Sequence, residues 1–283
     1  MKYLCCLLIL ISLQSPACLR AESSNTLCVM SFNLRYADLK KPHAWPDRRP
    51  AMQECIKSVS PDVMGTQEGL YGQIKDIASD LPDYDWIGLG RNGGSRSEFM
   101  AVFYRKSRLE PMEYDHFWLS DTPDVIGSST WGNKNRRMVT WVRFKDRQTG
   151  KEFYFFNTHF DHEVQKAREK SAELVRQRIE GLKTELPVIL GGDFNGGAGT
   201  NAAYKILMEG DFLKDTWVTA PQHRGNVVGT FHGYHKAVPN GPRIDWILTR
   251  GPVTAEAAEV ITFSKSGEMP SDHFPIATWL EFR

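Results

Sequence analysis

The chain has 283 residues, of which 41% are hydrophobic and 24% are charged, an ordinary composition for a globular protein with a substantial core. Its charges nearly balance, since 35 Lys and Arg stand against 34 Asp and Glu. A protein that grips long nucleic acid normally carries a basic surplus or a basic stripe. The composition therefore argues against strong nucleic-acid binding.

The first 21 residues have the form of a secretory signal peptide. A basic residue precedes an almost wholly apolar run over residues 3–13, and cleavage after Ala17 or Ala21 fits the small residues that follow. We therefore expect export, to the periplasm or beyond, or to a membrane surface if Cys18 carries a lipid. Without the two basic residues of this leader, 33 basic residues remain against 34 acidic ones, a formal charge of −1.

Residues 22–283 are predicted to form a single domain, because no repeat, low-complexity tract or linker interrupts them. We expect a monomer. Only Cys28 and Cys55 lie clearly in this domain, and two cysteines do not make a disulfide framework. They form either one bridge or two separate buried thiols.

The predicted elements alternate between strands and helices in both halves of the chain, with a block of consecutive strands between them. Helices are expected at 49–59, where Pro50 comes early, and at 71–78, 163–183 and 201–208. Residues 117–135 are expected to be an irregular loop that walls a pocket. The predicted strands are 27–33, 62–68, 86–89, 100–104, 138–144, 153–157, 188–190, 244–249, 257–263 and 274–282. This order predicts an α/β fold: a four-layer α-β-β-α sandwich of two mixed sheets with helices outside.

The segment 187–196 carries the first candidate site. A short apolar run, 188–190, reads as a buried strand, and two glycines then let the backbone turn and approach a ligand. Asp193 and Asn195 follow two residues apart, so their oxygens project from one face of an extended chain. A carboxylate and an amide there suit a divalent cation or the water that attacks a phosphate, although a polar turn explains the pattern equally well.

Five further polar clusters interrupt the apolar pattern, each at the C-terminal end of a predicted strand or in the loop beyond it. Taken singly, each has an ordinary explanation as a strand end, a helix cap or a turn. Strand ends gather at one edge of a sandwich, however, so we expect these side chains to meet. The clusters are Asn33, Glu68, His159 with Asp161, Asp245, and Asp272 with His273.

These segments, in this order, resemble the endonuclease/exonuclease/phosphatase superfamily. Residues 243–247 (Arg-Ile-Asp-Trp-Ile) and 271–275 (Ser-Asp-His-Phe-Pro) are the most diagnostic. The superfamily includes pancreatic-type deoxyribonucleases, apurinic endonucleases, neutral sphingomyelinases, inositol polyphosphate 5-phosphatases and deadenylases. The resemblance runs from Asn33 to His273 and implies the four-layer sandwich and the hydrolysis of phosphate esters.

The resemblance also implies a metal site. Glu68 would be the principal ligand of Mg²⁺, with Mn²⁺ or Ca²⁺ as alternatives, and Asn33 and Asp272 would support it. Asp193 and Asn195 would bind or orient the attacking water and a phosphate oxygen, with a second metal as an option. Oxygen ligands of this kind are those that Mg²⁺ prefers.

Two histidines are implied to act on the phosphate. His273, paired with Asp245, would be the general base or the phosphate clamp, since a carboxylate behind an imidazole fixes its tautomer and raises its basicity. His159 matches the family's phosphate-contacting or general-acid histidine. The segment 157–162 (Asn-Thr-His-Phe-Asp-His), together with the leader, favours the sphingomyelinase-like and deadenylase-like branches in an exported bacterial form.

Substrate contacts are expected from Arg137, Asp161 and His232. The Arg136–Arg137 and Arg48–Arg49 pairs could each clamp a phosphate through paired hydrogen bonds, although surface solvation explains them equally well. Glu98 is a candidate for a position behind the metal ligands.

The function expected from the sequence is an exported, Mg²⁺-dependent hydrolase that cleaves a phosphodiester or a phosphomonoester of a small or lipid-linked substrate. One alternative is an extracellular nuclease, which the charge disfavours. The other is a non-catalytic protein that holds a phosphorylated or sugar ligand on the same fold. The sequence does not name the substrate, because loops select it while the metal centre is shared.

Overall fold

The computed structural model describes residues 25–283. The predicted signal peptide and the alternative lipid anchor at Cys18 lie outside these residues. Within 25–283, every helix is too short or too polar to cross a lipid bilayer.

Strands and helices alternate over residues 26–87 and again over residues 152–225, and a run of consecutive strands follows each of these stretches. In chain order they are β1 (Thr26–Asn33), α1 (Trp45–Val59), β2 (Val63–Gly69), α2 (Tyr71–Asp80), β3 (Tyr84–Ile87), β4 (Phe99–Arg105), β5 (Leu109–Trp118), β6 (Met138–Asp146), β7 (Glu152–His159), α3 (Gln165–Gly181), β8 (Val188–Asp193), α4 (Ala202–Met208), β9 (Lys214–Asp215), α5 (Thr216–Thr219), β10 (Gln222–Gly225), β11 (Asp245–Arg250), β12 (Val253–Val260) and β13 (Ile276–Phe282).

The strands form two mixed sheets. Sheet A has the order β10-β12-β13-β1-β2-β4-β3, and sheet B has the order β5-β6-β7-β8-β11-β9. In each sheet a parallel pair, β1 with β2 or β7 with β8, encloses one helix, as expected for a strand–helix–strand unit. The predicted sandwich of two mixed sheets with helices is confirmed.

Three apolar layers hold the sandwich together. Side chains such as Val29 of sheet A and Ile189 of sheet B meet between the sheets. The alternate residues of β1, Met30 among them, point outward and are covered by α1 and α2. On the other side α3 and α4 cover sheet B, with Leu190 among the buried contacts. Each fully buried aliphatic or aromatic side chain stabilises the fold by about 1.5–3 kcal/mol.

A buried polar bridge joins the sheets near one edge. Asn157 Nδ2 donates to main-chain carbonyl oxygens of β2 and β4 at 2.8 and 2.9 Å, and Gln67 Nε2 donates to Asn157 Oδ1 at 2.7 Å. Gly65 leaves room for this bridge, since a Cβ there would lie 2.7 Å from Asn157 Oδ1. The bridge fixes the positions of the next residues along each strand, Glu68 and His159.

Two local predictions are wrong. Helix α1 begins at Trp45 rather than at residue 49, so Pro50 lies inside it and not in its first turn. Pro50 removes the main-chain donor for the carbonyl of Pro46, and the helix tolerates this because both prolines are exposed to solvent. Strand β5 was not predicted. It is an edge strand paired only with β6, and its central residues are exposed, so it lacks the apolar alternation of the other strands.

The two cysteines of the domain are separate buried thiols and not a bridge. Burial raises the pKa of the Cys55 thiol to about 12. The sequence left open either one bridge or two separate buried thiols, and the structure has two separate thiols.

The polar clusters share one edge for a reason that differs from the predicted one. Asp245 opens β11, and Asp272 and His273 precede β13, so these three lie at N-terminal ends of strands. Because β11 runs antiparallel to β8, and β13 antiparallel to β1, these starts lie beside the C-terminal ends that carry Asp193 and Asn33.

Candidate active site

A cleft of about 350 Å³ opens at this shared edge. That volume is at the lower end of the range for small-molecule sites. Acidic side chains, basic side chains and two exposed aromatic rings contribute to the wall. The lining residues are Tyr36, Glu68, Arg91, Glu98, Asn135, Arg137, His159, His162, Asp193, Asn195, Phe231, Ile244, Asp272 and His273.

Glu68 is aimed into the cleft by an irregularity in β2. Its φ is +64°, and the register between β2 and β4 shifts between Thr66 and Gly69, as in a β-bulge that redirects a side chain. Asn33 Nδ2 donates to Glu68 Oε1 at 3.0 Å and to Asp193 Oδ2 at 2.9 Å. The amide of Asn33 therefore holds a carboxylate of sheet A, Glu68, close to a carboxylate of sheet B, Asp193.

The carboxylate side of the cleft fits a divalent cation. Glu68, His159 and Asp193 each offer a ligand atom within 4.8 Å of the others. Burial raises the pKa of Asp193 to about 7, with the nearby Asp245 contributing. Burial also raises the pKa of Asp272, and the charge of Glu68 adds to the shift. Crowded carboxylates of this kind are stabilised by a bound cation.

The predicted metal ligand Asn33 does not face the carboxylates with its oxygen. Its Oδ1 accepts from the main-chain N of Arg35 at 2.9 Å, while its Nδ2 holds the two carboxylates. In this orientation Asn33 positions the acidic ligands. It would offer oxygen to a cation only after a half-turn of the amide.

Asn195 reaches the cleft, although not from an extended chain as predicted. Strand β8 ends at Asp193, and Asn195 has a left-handed conformation with φ +49°. Its main-chain N donates to Asp193 Oδ1 at 2.9 Å, and its Nδ2 donates to the carbonyl of Phe160 at 3.1 Å. The tight turn therefore brings both side chains to the same cleft.

His159 is a buried imidazole whose Nε2 lies 3.4 Å from Asp193 Oδ2. Asn195 Nδ2, oriented by its bond to a carbonyl, also donates to His159 Nε2 at 3.0 Å, so the ring carries its proton on Nδ1. Burial holds the pKa of His159 well below its usual range, and the charges of Arg137 and Arg91 lower it further. Among residues 25–283, no hydrogen-bond acceptor meets His159 Nδ1.

Asp245 lies behind His273, as the sequence predicted. The carboxylate is 1% exposed, and its Oδ2 lies 3.0 Å from His273 Nδ1. At the opposite edge of the ring, His273 Nε2 lies 3.8 Å from Asp193 Oδ2. Burial alone would lower the pKa of His273, but Asp245 and Asp193 raise it to about 10. The imidazole of His273 therefore lies between two carboxylates, and both of them favour its protonated form.

Arg137 forms the basic side of the cleft. Its side chain is 4% exposed, its Nη2 donates to His162 Nδ1 at 2.9 Å, and its Nε lies 3.6 Å from Asp161 Oδ2. Nε and Nη1 of Arg137 have no hydrogen-bond partner among the described residues. Buried guanidinium nitrogens are rarely left without acceptors, so these two donors are available to an anion.

Asp161 does not line the cleft, although it was predicted to contact substrate. Its Oδ1 accepts from the main-chain N of Glu163 and of Val164, at 3.0 and 2.7 Å, just before α3. Its Oδ2 faces Arg137. The structure therefore gives Asp161 a positioning contact, beneath a residue that does line the cleft.

His232 and the Arg48–Arg49 pair also lie away from the cleft wall. His232 is 6% exposed and its ring packs 4.1 Å from that of Phe274. Arg48 is fully buried and donates to main-chain carbonyls, including that of Pro270 at 2.7 Å. Arg49 pairs with acidic residues of α2. The structure therefore places neither His232, which was predicted to contact substrate, nor the Arg48–Arg49 pair among the lining residues of this cleft.

Four lining residues were not predicted: Tyr36, Arg91, His162 and Ile244. Asn135, by contrast, ends the loop 117–135 that was expected to wall a pocket. The four unpredicted residues lie in loops, and Arg91 stands seven residues before Glu98, with which it pairs. An Arg and a Glu close together in a polar loop have no periodic signal, so the sequence offers no means of assigning them to the cleft.

Comparison with known proteins agrees with this geometry. Residues 30–273 match the Endonuclease/Exonuclease/phosphatase family. The crystal structure of a protein of that family from Bacteroides thetaiotaomicron superposes with a TM-score of 0.85 at 34% identity, covering 91% of this chain and 98% of that one. A mannosyl-6-phosphatase of the same species also has a TM-score of 0.85 at 34% identity, over 90% of this chain and all of that one.

Among curated sequences, an uncharacterized protein of Acanthamoeba polyphaga mimivirus is 32% identical over 162 residues. The match covers 54% of this chain and only 60% of that relative. The family match and the two bacterial structures cover nearly all of the described residues, and they confirm the resemblance found in the sequence. The chain therefore belongs to the endonuclease/exonuclease/phosphatase family of phosphoesterases.

Proposed function

We propose that the protein is a divalent-metal-dependent phosphatase that hydrolyses phosphomonoesters of small alcohols, with Mg²⁺ as the metal. One observation carries the proposal: a buried carboxylate, Asp193, and the half-buried carboxylates of Glu68 and Asp272 line a cleft of only about 350 Å³ together with a buried arginine, two of whose nitrogens have no hydrogen-bond partner among the described residues. A phosphoryl group between them would meet a cation on one side and a guanidinium on the other.

The metal would be held by Glu68, Asp193 and Asp272, with Asn33 spacing the first two. Enzymes of this family depend on divalent metals, and the oxygen-rich donor set suits Mg²⁺ better than a softer metal. When bound, the cation supplies positive charge for a phosphate oxygen and lowers the pKa of a water molecule.

The side chains of the protein have separate tasks in this proposal. Arg137, steadied by Asp161 and His162, uses Nε and Nη1 to hold phosphate oxygens. His273, oriented by Asp245, presents a protonated Nε2 beside Asp193 and so acts as a phosphate clamp. Asn195 fixes the ring of His159, and the Nδ1 proton of His159 is available to an oxygen of the ester.

Charge favours a monoester over a diester. A phosphomonoester carries up to two negative charges near neutral pH, whereas a diester carries one. Arg137 and the imidazolium of His273 provide two positive charges that are not needed for the metal. The structural neighbour that is a mannosyl-6-phosphatase, at 34% identity, supports the same choice and suggests a sugar phosphate.

We further propose that the protein is exported and monomeric, and that its substrate is a small or lipid-linked phosphate ester and not a long nucleic acid. The apolar leader and the balanced charge support these proposals. Recovery of the full-length chain in the cytoplasmic fraction of its host, without cleavage or lipid attachment, would contradict export.

A substrate panel tests the activity. The purified domain is assayed with hexose phosphates, propyl phosphate, bis-p-nitrophenyl phosphate, sphingomyelin vesicles and plasmid DNA, with Mg²⁺ or with EDTA. We expect phosphomonoesters to be hydrolysed with Mg²⁺ and not with EDTA, and the diesters to react at least about 100-fold more slowly. Faster cleavage of sphingomyelin or plasmid would establish a diesterase instead. Binding of sugar phosphates without turnover would establish a non-catalytic protein.

A further inference from the structure

The cleft contains an ion pair that the proposed chemistry does not use. Arg91 Nη2 donates to Glu98 Oε1 at 2.7 Å, and Arg91 Nη1 lies 2.7 Å from Glu98 Oε2. Both residues line the cleft, where their side chains are 10% and 16% exposed. Burying two charges is unfavourable unless they gain partners, so such a pair calls for an explanation.

The loop that carries the pair is also closed by bonds that involve neither charged group. The main-chain N of Arg91 already donates to the carbonyl of Glu98 at 2.9 Å, and Trp118 Nε1 donates to the carbonyl of Arg91 at 2.8 Å. These two bonds close the loop before β4 and attach it to the end of β5. The side-chain pair adds charge at the cleft wall and no further main-chain contact.

The pair also has hydrogen-bonding capacity to spare. Within residues 25–283, the carboxylate of Glu98 contacts only Arg91, although a carboxylate accepts about four hydrogen bonds. Asn135 Oδ1 lies 3.4 Å from Arg91 Nη2 and brings an amide to the same wall. Burial raises the pKa of Glu98 to about 7, against the opposing charge of Arg91, which marks its carboxylate as poorly solvated by donors.

We infer that Arg91, Glu98 and Asn135 form a subsite for the alcohol part of the substrate and select an alcohol that carries several hydroxyl groups, a sugar or a polyol. A hydroxyl group both donates and accepts, so it can donate to the carboxylate and accept from the guanidinium or the amide. Two nitrogens of the Arg91 guanidinium are engaged by Glu98, so they are not available to hold the phosphate. Arg91, Glu98 and Asn135 line the same cleft as His159 and His273, so the subsite shares its space with the proposed phosphate site.

This inference rests on the proposed function and is tested on two esters, one with a polyhydroxylated alcohol part and one whose alcohol part is an alkyl chain without hydroxyl groups. Hexose 6-phosphates and propyl phosphate are both monoesters of a primary alcohol. For Glu98→Gln we expect kcat/KM to fall about 10- to 100-fold with the best hexose phosphate and less than about threefold with propyl phosphate. Asn135→Ala should give a smaller loss with the same selectivity.

A matched control is Asp146→Asn, which neutralises an arginine-paired carboxylate at the far end of β6. It should leave the ratio of the two kcat/KM values unchanged. Equal losses with both esters in Glu98→Gln, or no loss with either, would overturn the inference. If Glu98→Gln does not fold, the Asn135→Ala ratio decides.

Failure of the proposed function gives a different result. If the wild type hydrolyses neither ester with Mg²⁺, that function is wrong, and calorimetry decides the inference. Binding of the hexose phosphate should then weaken at least about tenfold in Glu98→Gln while binding of inorganic phosphate stays the same. An unchanged hexose phosphate affinity, or no binding by the wild type, would contradict the subsite.

Discussion

Two buried pairs of arginine and carboxylate, at opposite ends of the sandwich, have different surroundings. At the end away from the cleft, Arg108 Nε and Nη2 donate to the two oxygens of Asp146 at 2.8 and 2.9 Å. Gln148 N and Thr149 Oγ1 also donate to Asp146, each at 2.9 Å. In the cleft, Glu98 has Arg91 and, within the described part of the chain, no other donor.

The difference appears in the acidity of the two carboxylates. Burial alone would raise the pKa of Asp146, but the hydrogen bonds from Arg108, Gln148 and Thr149 hold it below its usual range. Burial raises the pKa of Glu98 to about 7 because its single partner does not offset the loss of water. An ion pair whose carboxylate has all its hydrogen bonds contributes to the fold. An ion pair at a cleft whose carboxylate can accept further hydrogen bonds is available to a ligand.

The same contrast extends to other atoms of the cleft. Several buried polar atoms near the metal site have no partner among residues 25–283: Arg137 Nε and Nη1, His159 Nδ1, Asp161 Oδ2 and Asp245 Oδ1. Similar atoms occur elsewhere in the described chain, but these five belong to residues that line the cleft or that contact a lining residue. Buried polar atoms without partners lower the stability of this end of the molecule, and they favour the binding of a charged ligand there.

The largest effect is expected from Glu68→Gln. Loss of the principal carboxylate should lower turnover by at least about a thousandfold and abolish Mg²⁺ binding, because the remaining ligands carry less charge. The melting temperature should stay within a few degrees, since Glu68 is only half-buried and contributes little to the core. Turnover, Mg²⁺ calorimetry and thermal unfolding measure the three quantities.

Asp146→Asn should lower stability and spare turnover, which is the opposite of the result expected for Glu68→Gln. It leaves Arg108 buried without its charged partner and should lower the melting temperature by several degrees while kcat stays near the wild-type value. Wild-type turnover in Glu68→Gln would show that the ligand assignment is wrong. A large loss of turnover in Asp146→Asn would remove the distinction between the two ends.

Much of the sandwich could be predicted because its strands are buried on both faces or alternate clearly. The segments 188–190 and 138–144 are examples, and both are strands in the structure. Strand β5 could not be predicted, because as a solvent-facing edge strand it is held by main-chain bonds to β6 rather than by buried side chains. Helix α1 was placed too short because two exposed prolines look like breaks.

The candidate site was predictable where a side chain stands at a strand end, and less so in the loops. Glu68, His159, Asp193 and His273 reach one cleft because the strand register brings their ends together. Arg91 and Asn135 come from separate loops whose approach depends on tertiary contacts such as Trp118 Nε1 to the carbonyl of Arg91. A single sequence carries no local signal for such contacts.

The next largest effect concerns Asp245 and His273. An unpaired charge in their buried site would be unfavourable, and the 3.0 Å contact indicates that the two act together. Asp245→Asn should lower kcat by roughly 10²- to 10⁴-fold, in line with the loss of a carboxylate that orients a histidine. His273→Ala should cause similar damage.

The double variant distinguishes a unit from two independent residues. If Asp245 acts through His273, the double variant should be little slower than either single one. The increases in activation free energy are measured from kcat at saturating substrate. If they are strictly additive, the two residues act independently and the pairing does not contribute to catalysis.

A smaller effect is expected at Arg137. Arg137→Ala removes two unpaired donors from the cleft and should raise KM about 10- to 100-fold, by analogy with a charge-assisted bond to phosphate. The neighbouring Arg136 is exposed and does not line the cleft, so Arg136→Ala is a matched control and should leave KM within about twofold. Equal effects from the two variants would mean that only the overall positive charge matters.

The smallest effect is a change of stability with pH, which compares the two ion pairs directly. The folded-state pKa of Glu98 is raised from 4.5 to about 7, so its contribution to stability is complete below pH 4.5 and is lost as the pH rises through 7. The pKa of Asp146 is lowered from 3.8, so its contribution is present above that pH and is lost on acidification. In EDTA, Glu98→Gln should therefore gain about 2–3 kcal/mol of stability relative to the wild type between pH 5 and 8. The deficit of Asp146→Asn should stay constant over this range and shrink below pH 4. Denaturant unfolding at several pH values measures both. Parallel pH profiles for the two variants would show that the carboxylates have equivalent surroundings, contrary to the contacts seen at the two ends.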